Sequence, residues 1–148
     1  MYRQIQIDKD HTPLQRIFWR ESTNEPVKVF ELSTVTYGTA SAPFLATRSL
    51  VQFSNDERHR FPLGASTVIE DFYMDDVLSG DDTLEAAKER RQQIVALLEC
   101  GKFPIHKWCS NSAELLEMVP PTERESCKIL EEHSANQSAR NYLESKRR

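Results

Sequence analysis

Glycine is scarce in this sequence, 4 of 148 residues beside 7 prolines. That excludes a collagenous or low-complexity chain, and no repeat of solenoid length is visible. Apolar residues never run on long enough to cross a bilayer as a helix. Met1-Tyr2-Arg3-Gln4 leads into polar residues instead of an apolar core, so no secretory signal is expected. Cysteine is sparse and odd in number: Cys100, Cys109 and Cys127, with no C-x-x-C pair. These features imply free thiols, no membrane partner and an intracellular setting. His106 and Cys109 bring zinc-like residue types near Cys100, at a spacing that fits no standard zinc pattern.

Positive charge is the other shortage. The chain carries a net charge of −4, with 19 Lys and Arg against 23 Asp and Glu. Residues 1–66 are nearly neutral, so the excess of acid lies in the second half. Glu70, Asp71, Asp75, Asp76, Asp81 and Asp82 form a run with no Lys or Arg among them. A free nucleic-acid binder is usually basic, so such a run repels a phosphate backbone unless cations intervene.

What is present reads as alternating strands and helices. Arg3-Gln4-Ile5-Gln6-Ile7-Asp8 alternates apolar and polar residues and predicts a half-buried strand. Gln15 to Arg20 and Val27 to Ser33 predict a hairpin with a polar loop. Ser41-Ala42-Pro43 predicts a helix start, because proline suits a first turn whose N–H is unpaired anyway; this helix should run to about Arg58. Ser66 to Tyr73 and Val77 to Ser79 predict strands flanking a tight turn at Met74-Asp75-Asp76. Asp82 with Glu85 predicts a capping box for a helix ending at Gly101. Phe103 to Cys109 predicts a further strand, Asn111 to Met118 a short helix, and Thr122 with Glu125 the start of another. Leaving out the early hairpin, the order is βαββαβ, an α+β, ferredoxin-like arrangement.

The chemistry is focused on Tyr73-Met74-Asp75-Asp76. Two adjacent carboxylates on a tight hairpin can share one Mg²⁺ site if the turn splays them and a substrate phosphate completes the octahedron. Asp is a common turn residue, so the pair alone decides little. Its neighbours carry more. Leu32-Ser33-Thr34-Val35-Thr36-Tyr37-Gly38-Thr39-Ala40-Ser41-Ala42-Pro43-Phe44-Leu45-Ala46-Thr47-Arg48 resembles polymerase motif B of reverse transcriptases from Bel/Pao-type LTR retrotransposons. Asp71-Phe72-Tyr73-Met74-Asp75-Asp76-Val77-Leu78-Ser79-Gly80 resembles their motif C. Lys107-Trp108-Cys109-Ser110-Asn111 resembles the end of motif D, and Met1-Tyr2-Arg3-Gln4-Ile5 the second half of motif A.

The resemblance covers residues 1–126 and implies a reverse-transcriptase palm, truncated at fingers and thumb, with residues 127–148 as a divergent helical or disordered tail. It implies RNA-directed DNA synthesis by two-metal nucleotidyl transfer, with Mg²⁺ or Mn²⁺ as cofactor and template-primer and deoxynucleotide as partners. Asp75 and Asp76 match the motif C carboxylates, flanked by Tyr73 and Met74 on the substrate side. Tyr2 matches the aromatic steric gate under the incoming sugar. Tyr37 and Gly38 match the motif B turn beside the nucleotide. Lys107 matches the motif D lysine, a proton donor or phosphate contact. The family's first catalytic aspartate belongs just ahead of Met1 and has no counterpart in these residues, so inactivity alone is expected. A palm without its neighbours should also self-associate through an exposed sheet edge. The alternative is a non-catalytic interaction module that keeps the fold. In the cell, the resemblance implies cytoplasm or a virus-like particle. The terminal Lys146-Arg147-Arg148 offers only a weak nuclear signal.

Overall fold

Strands β1 (Arg16–Trp19) and β2 (Lys28–Glu31) pair antiparallel, with Arg16 opposite Glu31 and Trp19 opposite Lys28. Glu31 locks the far end. It accepts from Arg16 Nε at 2.8 Å and Nη2 at 2.7 Å, and from the Thr12 hydroxyl at 2.9 Å. Both faces of this two-stranded sheet are exposed, including Phe18 at 76% and Trp19 at 58%.

The computed structural model describes residues 1–125 and the backbone of Asn141–Lys146. It divides into two units, Met1–Ser49 and Leu50–Arg148. In the first unit the strand expected over residues 3–8 is absent. Tyr2–Gln4 form a 3-10 turn, and only Gln6 makes a bridge, to Thr34. Ile7 N donates to Ser33 O and Val35 N to Ile5 O, so residues 5–7 pair with the segment after the hairpin instead of joining a larger sheet. A second 3-10 helix, Lys9–Gln15, links this region to β1.

Helix α1 (Ala42–Asp56) follows, with Pro43 in its first turn as expected. Ala42, Ala46, Leu50 and Ser54 are all buried, an i, i+4 stripe along one face. In the second unit, Ser66 to Tyr73 is not a strand. Helix α2 (Pro62–Glu70) takes most of it, leaving β3 as Phe72–Tyr73. Pro62 supplies a preset first turn, and the buried Gly64, Thr67 and Val68 lie on one helical face. That face meets helix α3 (Leu84–Cys100). Gln93 on α3 caps α2, its Oε1 accepting from Leu63 N at 2.8 Å. Helix α3 is capped by Thr83, whose hydroxyl accepts from Ala86 N, not by Asp82 as expected. Asp82 precedes the cap by one residue and lies outside the helix. Ala87, Arg91, Ile94, Leu97 and Leu98 form its buried side, and it stops at Gly101.

Strand β4 (Asp76–Asp81) runs on past Ser79, and β5 (His106–Ser110) follows α3. Helix α4 (Ala113–Glu117) is capped by Ser112. The segment opened by Thr122 is a 3-10 turn, Pro121–Glu123. Of residues 127–148, read as a helical or disordered tail, Asn141–Lys146 form strand β6. The other residues of that stretch lie outside the described ones.

The second unit's sheet has the order β3-β4-β6-β5, each neighbouring pair antiparallel. Strands β4 and β5 are therefore parallel, joined by the α3 crossover, with β6 between them. This is a split βαβ unit whose middle strand comes from the C-terminal side. Residues 3–8, expected as a strand, are not in this sheet. The architecture is mixed α+β. Among the described residues no helix is long and apolar enough to cross a membrane. The three cysteines were expected as free thiols. Cys100 is free and exposed, whereas Cys109, buried in β5, is disulfide-bonded. Spacing along a chain does not reveal which sulfurs folding brings together.

Candidate functional site

The Asp75-Asp76 hairpin is built by two short strands and a two-residue connection. Phe72 pairs with Val77 and Tyr73 with Asp76, leaving Met74 and Asp75 as the loop. Two-residue hairpins favour a positive φ at the first central position, usually met by glycine. Here Met74 adopts φ 55°, a conformation that costs a residue bearing a Cβ about 1–2 kcal/mol. Beyond the turn, β4 alternates: Asp76 and Leu78 are exposed, Val77 and Ser79 buried. Val77 and Ser79 thus anchor the strand to the core while Asp76 faces outward, with Asp75 at the tip beside the exposed Tyr73 and Met74.

The acidic run divides sharply in three dimensions. The Ser79 hydroxyl donates to Asp71 Oδ2, tying the two ends of the hairpin together. Asp81 accepts from Arg90 Nε at 2.6 Å and Nη2 at 2.8 Å, and Arg90 Nη1 also donates to Thr67 Oγ1 at 3.0 Å. That bidentate pair is largely shielded and joins β4 to α2 and α3. The Asp81 carboxylate raises the pKa of Arg90. Asp75 and Asp76 remain exposed, with no side-chain partner among the described residues. Sequence reasoning treated six acids as one cluster; Arg90, spaced nine residues past Asp81 on the next helix, was the overlooked signal for separating them.

Lys107 sits on β5 with φ 62°, inside a bulge between His106 and Cys109. Asp76 and His106 both stand opposite Lys146 of β6, so the three form a row across the sheet. Two strand spacings separate Asp76 from His106, roughly 10 Å. Lys107 borders a cavity of about 170 Å³ with His106, Thr122 and Glu123. His106 Nδ1 lies 3.7 Å from Glu123 Oε1. The second unit therefore gathers Tyr73, Met74, Asp75 and Asp76 on one hairpin and holds Lys107 two strands away.

No family model, curated protein or solved structure matches this chain. The candidate site accordingly rests on its own geometry and on the motifs in the sequence.

In the first unit, Tyr2 and Tyr37 meet, ring centroids 4.5 Å apart at 59°. Gly38 follows with φ 84° and open space where a Cβ would stand, so the turn needs glycine for its backbone alone. Sequence reading placed Tyr37 and Gly38 in one turn and Tyr2 apart from it; folding brings the Tyr2 ring to that turn. It missed a cavity of about 560 Å³ in the same unit, lined by Ile5, Ile7, His11, Leu14, Val35 and Leu45 among others. The Ile5-Ile7 alternation was its only trace, and that pattern pointed to a strand.

The metal implied by the resemblance can be tested against these side chains. Among the described residues no three His, Cys, Asp or Glu side chains come together to hold an ion. Mg²⁺ needs near-octahedral oxygen ligation, and two adjacent carboxylates supply only part of it. By themselves the described residues do not complete a site for Mg²⁺ or Mn²⁺.

Proposed function

We propose that this chain is a palm segment of a reverse transcriptase of the Bel/Pao type, inactive on its own. The observation that carries the reading is the hairpin: two adjacent carboxylates, exposed and with no ion-pair partner among the described residues, held at a two-residue turn while Asp71 and Asp81 on either side are tied into the fold. Nucleotidyl transfer needs carboxylates so placed, because they would hold the divalent cations whose charge offsets that on the attacking 3′ oxygen and the leaving pyrophosphate. The split βαβ unit gives the hairpin the rigid support a ferredoxin-like palm would give. Tyr2 tilted against Tyr37, next to a glycine turn, suits a sugar-facing wall. Lys107, at a sheet bulge, suits a phosphate contact.

Two carboxylates do not by themselves complete such a site, so no step is assigned to Asp75 and Asp76 alone. Primer extension on an RNA template with deoxynucleotides and Mg²⁺ or Mn²⁺ should give no product. Template-dependent product that disappears in Asp75→Asn would overturn the claim of inactivity. The palm reading itself is tested by paramagnetic broadening with Mn²⁺, expected to be weak and centred on residues 74–77. Broadening spread evenly over every exposed acid would reduce the hairpin to a solvated turn.

A second reading, a non-catalytic interaction module keeping this fold, is favoured by one observation: β6 completes the sheet from within the chain. Under it the protein should be monomeric and melt cooperatively at high concentration.

A further inference from the structure

Two neighbouring arginines on α3 meet opposite fates. Arg90 forms a bidentate pair with Asp81. Arg91 points to the buried side of the helix, is only 8% exposed, and stands 4.9 Å over the ring of the buried Trp108. Its Nε has no hydrogen-bond partner among the described residues. The ring face offsets part of the cost of burying a cation, but it does not replace an acceptor in the guanidinium plane.

Arg91 also lines a cavity of about 110 Å³. Val95 and Glu99 follow it at helical spacing along one face of α3, and Pro104, Ile105 and Trp108 form an apolar wall. Glu99 stands two turns from Arg91, about 12 Å along the helix axis. Glu123 lines the cavity too, but its Oε1 is turned to His106 Nδ1 at 3.7 Å. Burial lowers the pKa of Arg91, and the Glu123 charge works the other way without bonding it. The cavity therefore has a cationic end with an unused donor, and an apolar side. It is too small for a drug-sized ligand.

We propose that this cavity binds a small monocarboxylate, acetate to butyrate in size, with its carboxylate on Arg91 and its alkyl part against Val95, Pro104 and Ile105. A guanidinium is a planar fork that matches two carboxylate oxygens. A dianion such as phosphate fits less well, because Glu99 and Glu123 repel a second charge. The inference does not depend on the polymerase reading, since neither Asp75 nor Asp76 takes part.

The test is an NMR titration of the intact chain with sodium propionate, sodium chloride holding the ionic strength constant. The Arg91 Nε–H resonance should move downfield and saturate, with a Kd on the order of millimolar for so small a ligand. Arg91→Met should abolish the saturable response, with the Trp108 indole resonance reporting that the variant is folded. Arg91→Lys keeps the charge without the fork and should bind about tenfold more weakly. Glu123→Gln should bind more tightly, and inorganic phosphate should bind the unmodified chain more weakly than propionate. No saturable shift, an equal shift with chloride alone, or propionate binding retained by Arg91→Met would each overturn the proposal. Tighter binding of phosphate would overturn the carboxylate assignment. An Arg91 Nε–H already downfield without ligand, and released in Glu123→Gln, would make Glu123 the partner and refute the site.

Discussion

Replacing Gly64 by alanine sets two effects of opposite sign against each other, and the helix contact decides which prevails. Alanine favours a helix interior over glycine by about 1 kcal/mol, so on an isolated α2 the change would stabilise. At Gly64, however, a Cβ would lie 2.7 Å from Gln93 O, 2.8 Å from Gln93 C and 3.1 Å from Ile94 N. These are backbone atoms of α3 and cannot rotate away. Carbon contacts are comfortable from about 3.5 Å, so the helices would have to part by roughly 0.8 Å. Overpacking of this kind costs about 1–3 kcal/mol, and separation also lengthens the Leu63 N to Gln93 Oε1 bond, worth about 1 kcal/mol. The balance is a loss of about 1–3 kcal/mol, which lowers the melting temperature by roughly 4–12 °C for a unit near 100 residues. Trp108 fluorescence reports this unit once Trp19 is replaced by Phe, and Gly64→Val should fall further. A Gly64→Ala protein melting at or above the unmodified chain would refute the close approach of α2 and α3.

Burial holds the pKa of Arg91 below its ordinary value, and its Nε finds no hydrogen-bond partner among the described residues. Arg91→Met, which keeps the packing on Trp108 and removes the buried cation, should leave stability unchanged or raise it by about 1 kcal/mol, whereas Arg91→Ala should lose about 2 kcal/mol; denaturant melts that rank both variants equally low would refute this. Glu31 should titrate below the usual glutamate range because Arg16 and then Thr12 bond its charged form. With the folded value depressed, its contribution to the hairpin is present above the ordinary glutamate pKa and is lost as pH falls through the folded value. Carboxyl-carbon NMR should show this low midpoint returning to normal in Arg16→Gln, and an unmoved midpoint would exclude the ion pair as the cause.

Local signals in the sequence were reliable wherever one residue settles a local choice. Pro43 marked the start of α1, Gly101 the end of α3, and the polar loop between Trp19 and Val27 the hairpin. Residues 66–70 misled because Val68 and Ile69 lead into Phe72 and Tyr73, an apolar run that fits a strand as well as a helix. The contact that resolves it, Gly64 against Gln93, spans about thirty residues and leaves no mark in periodicity. Ile5 and Ile7 alternate as a strand should, yet this segment pairs with residues 33–35 and forms no strand of its own. The hairpin at Met74-Asp75 was legible, because a paired acid between two apolar pairs has few other conformations. That Asp71 and Asp81 are internally bonded was not, since their partners lie on other elements. The place of β6 was hidden for the same reason: Asn-Tyr-Leu-Glu-Ser-Lys carries little strand character, and only the vacancy between two distant strands recruits it.

That recruitment has a consequence in time. Residue 76 pairs with residue 146, a separation across most of the second unit, so the sheet cannot close by local zippering. During synthesis, β4, α3 and β5 emerge first and can pack, but their facing edges stay bare until residues 141–146 have been made. At about 5–20 residues per second that interval lasts roughly 2–7 s. For those seconds the nascent protein presents two unsatisfied ladders to whatever extended chain is nearby, including an identical one on a neighbouring ribosome. Codon usage between β5 and β6 therefore bears on yield: slow translation there lengthens the exposure, and fast translation shortens it.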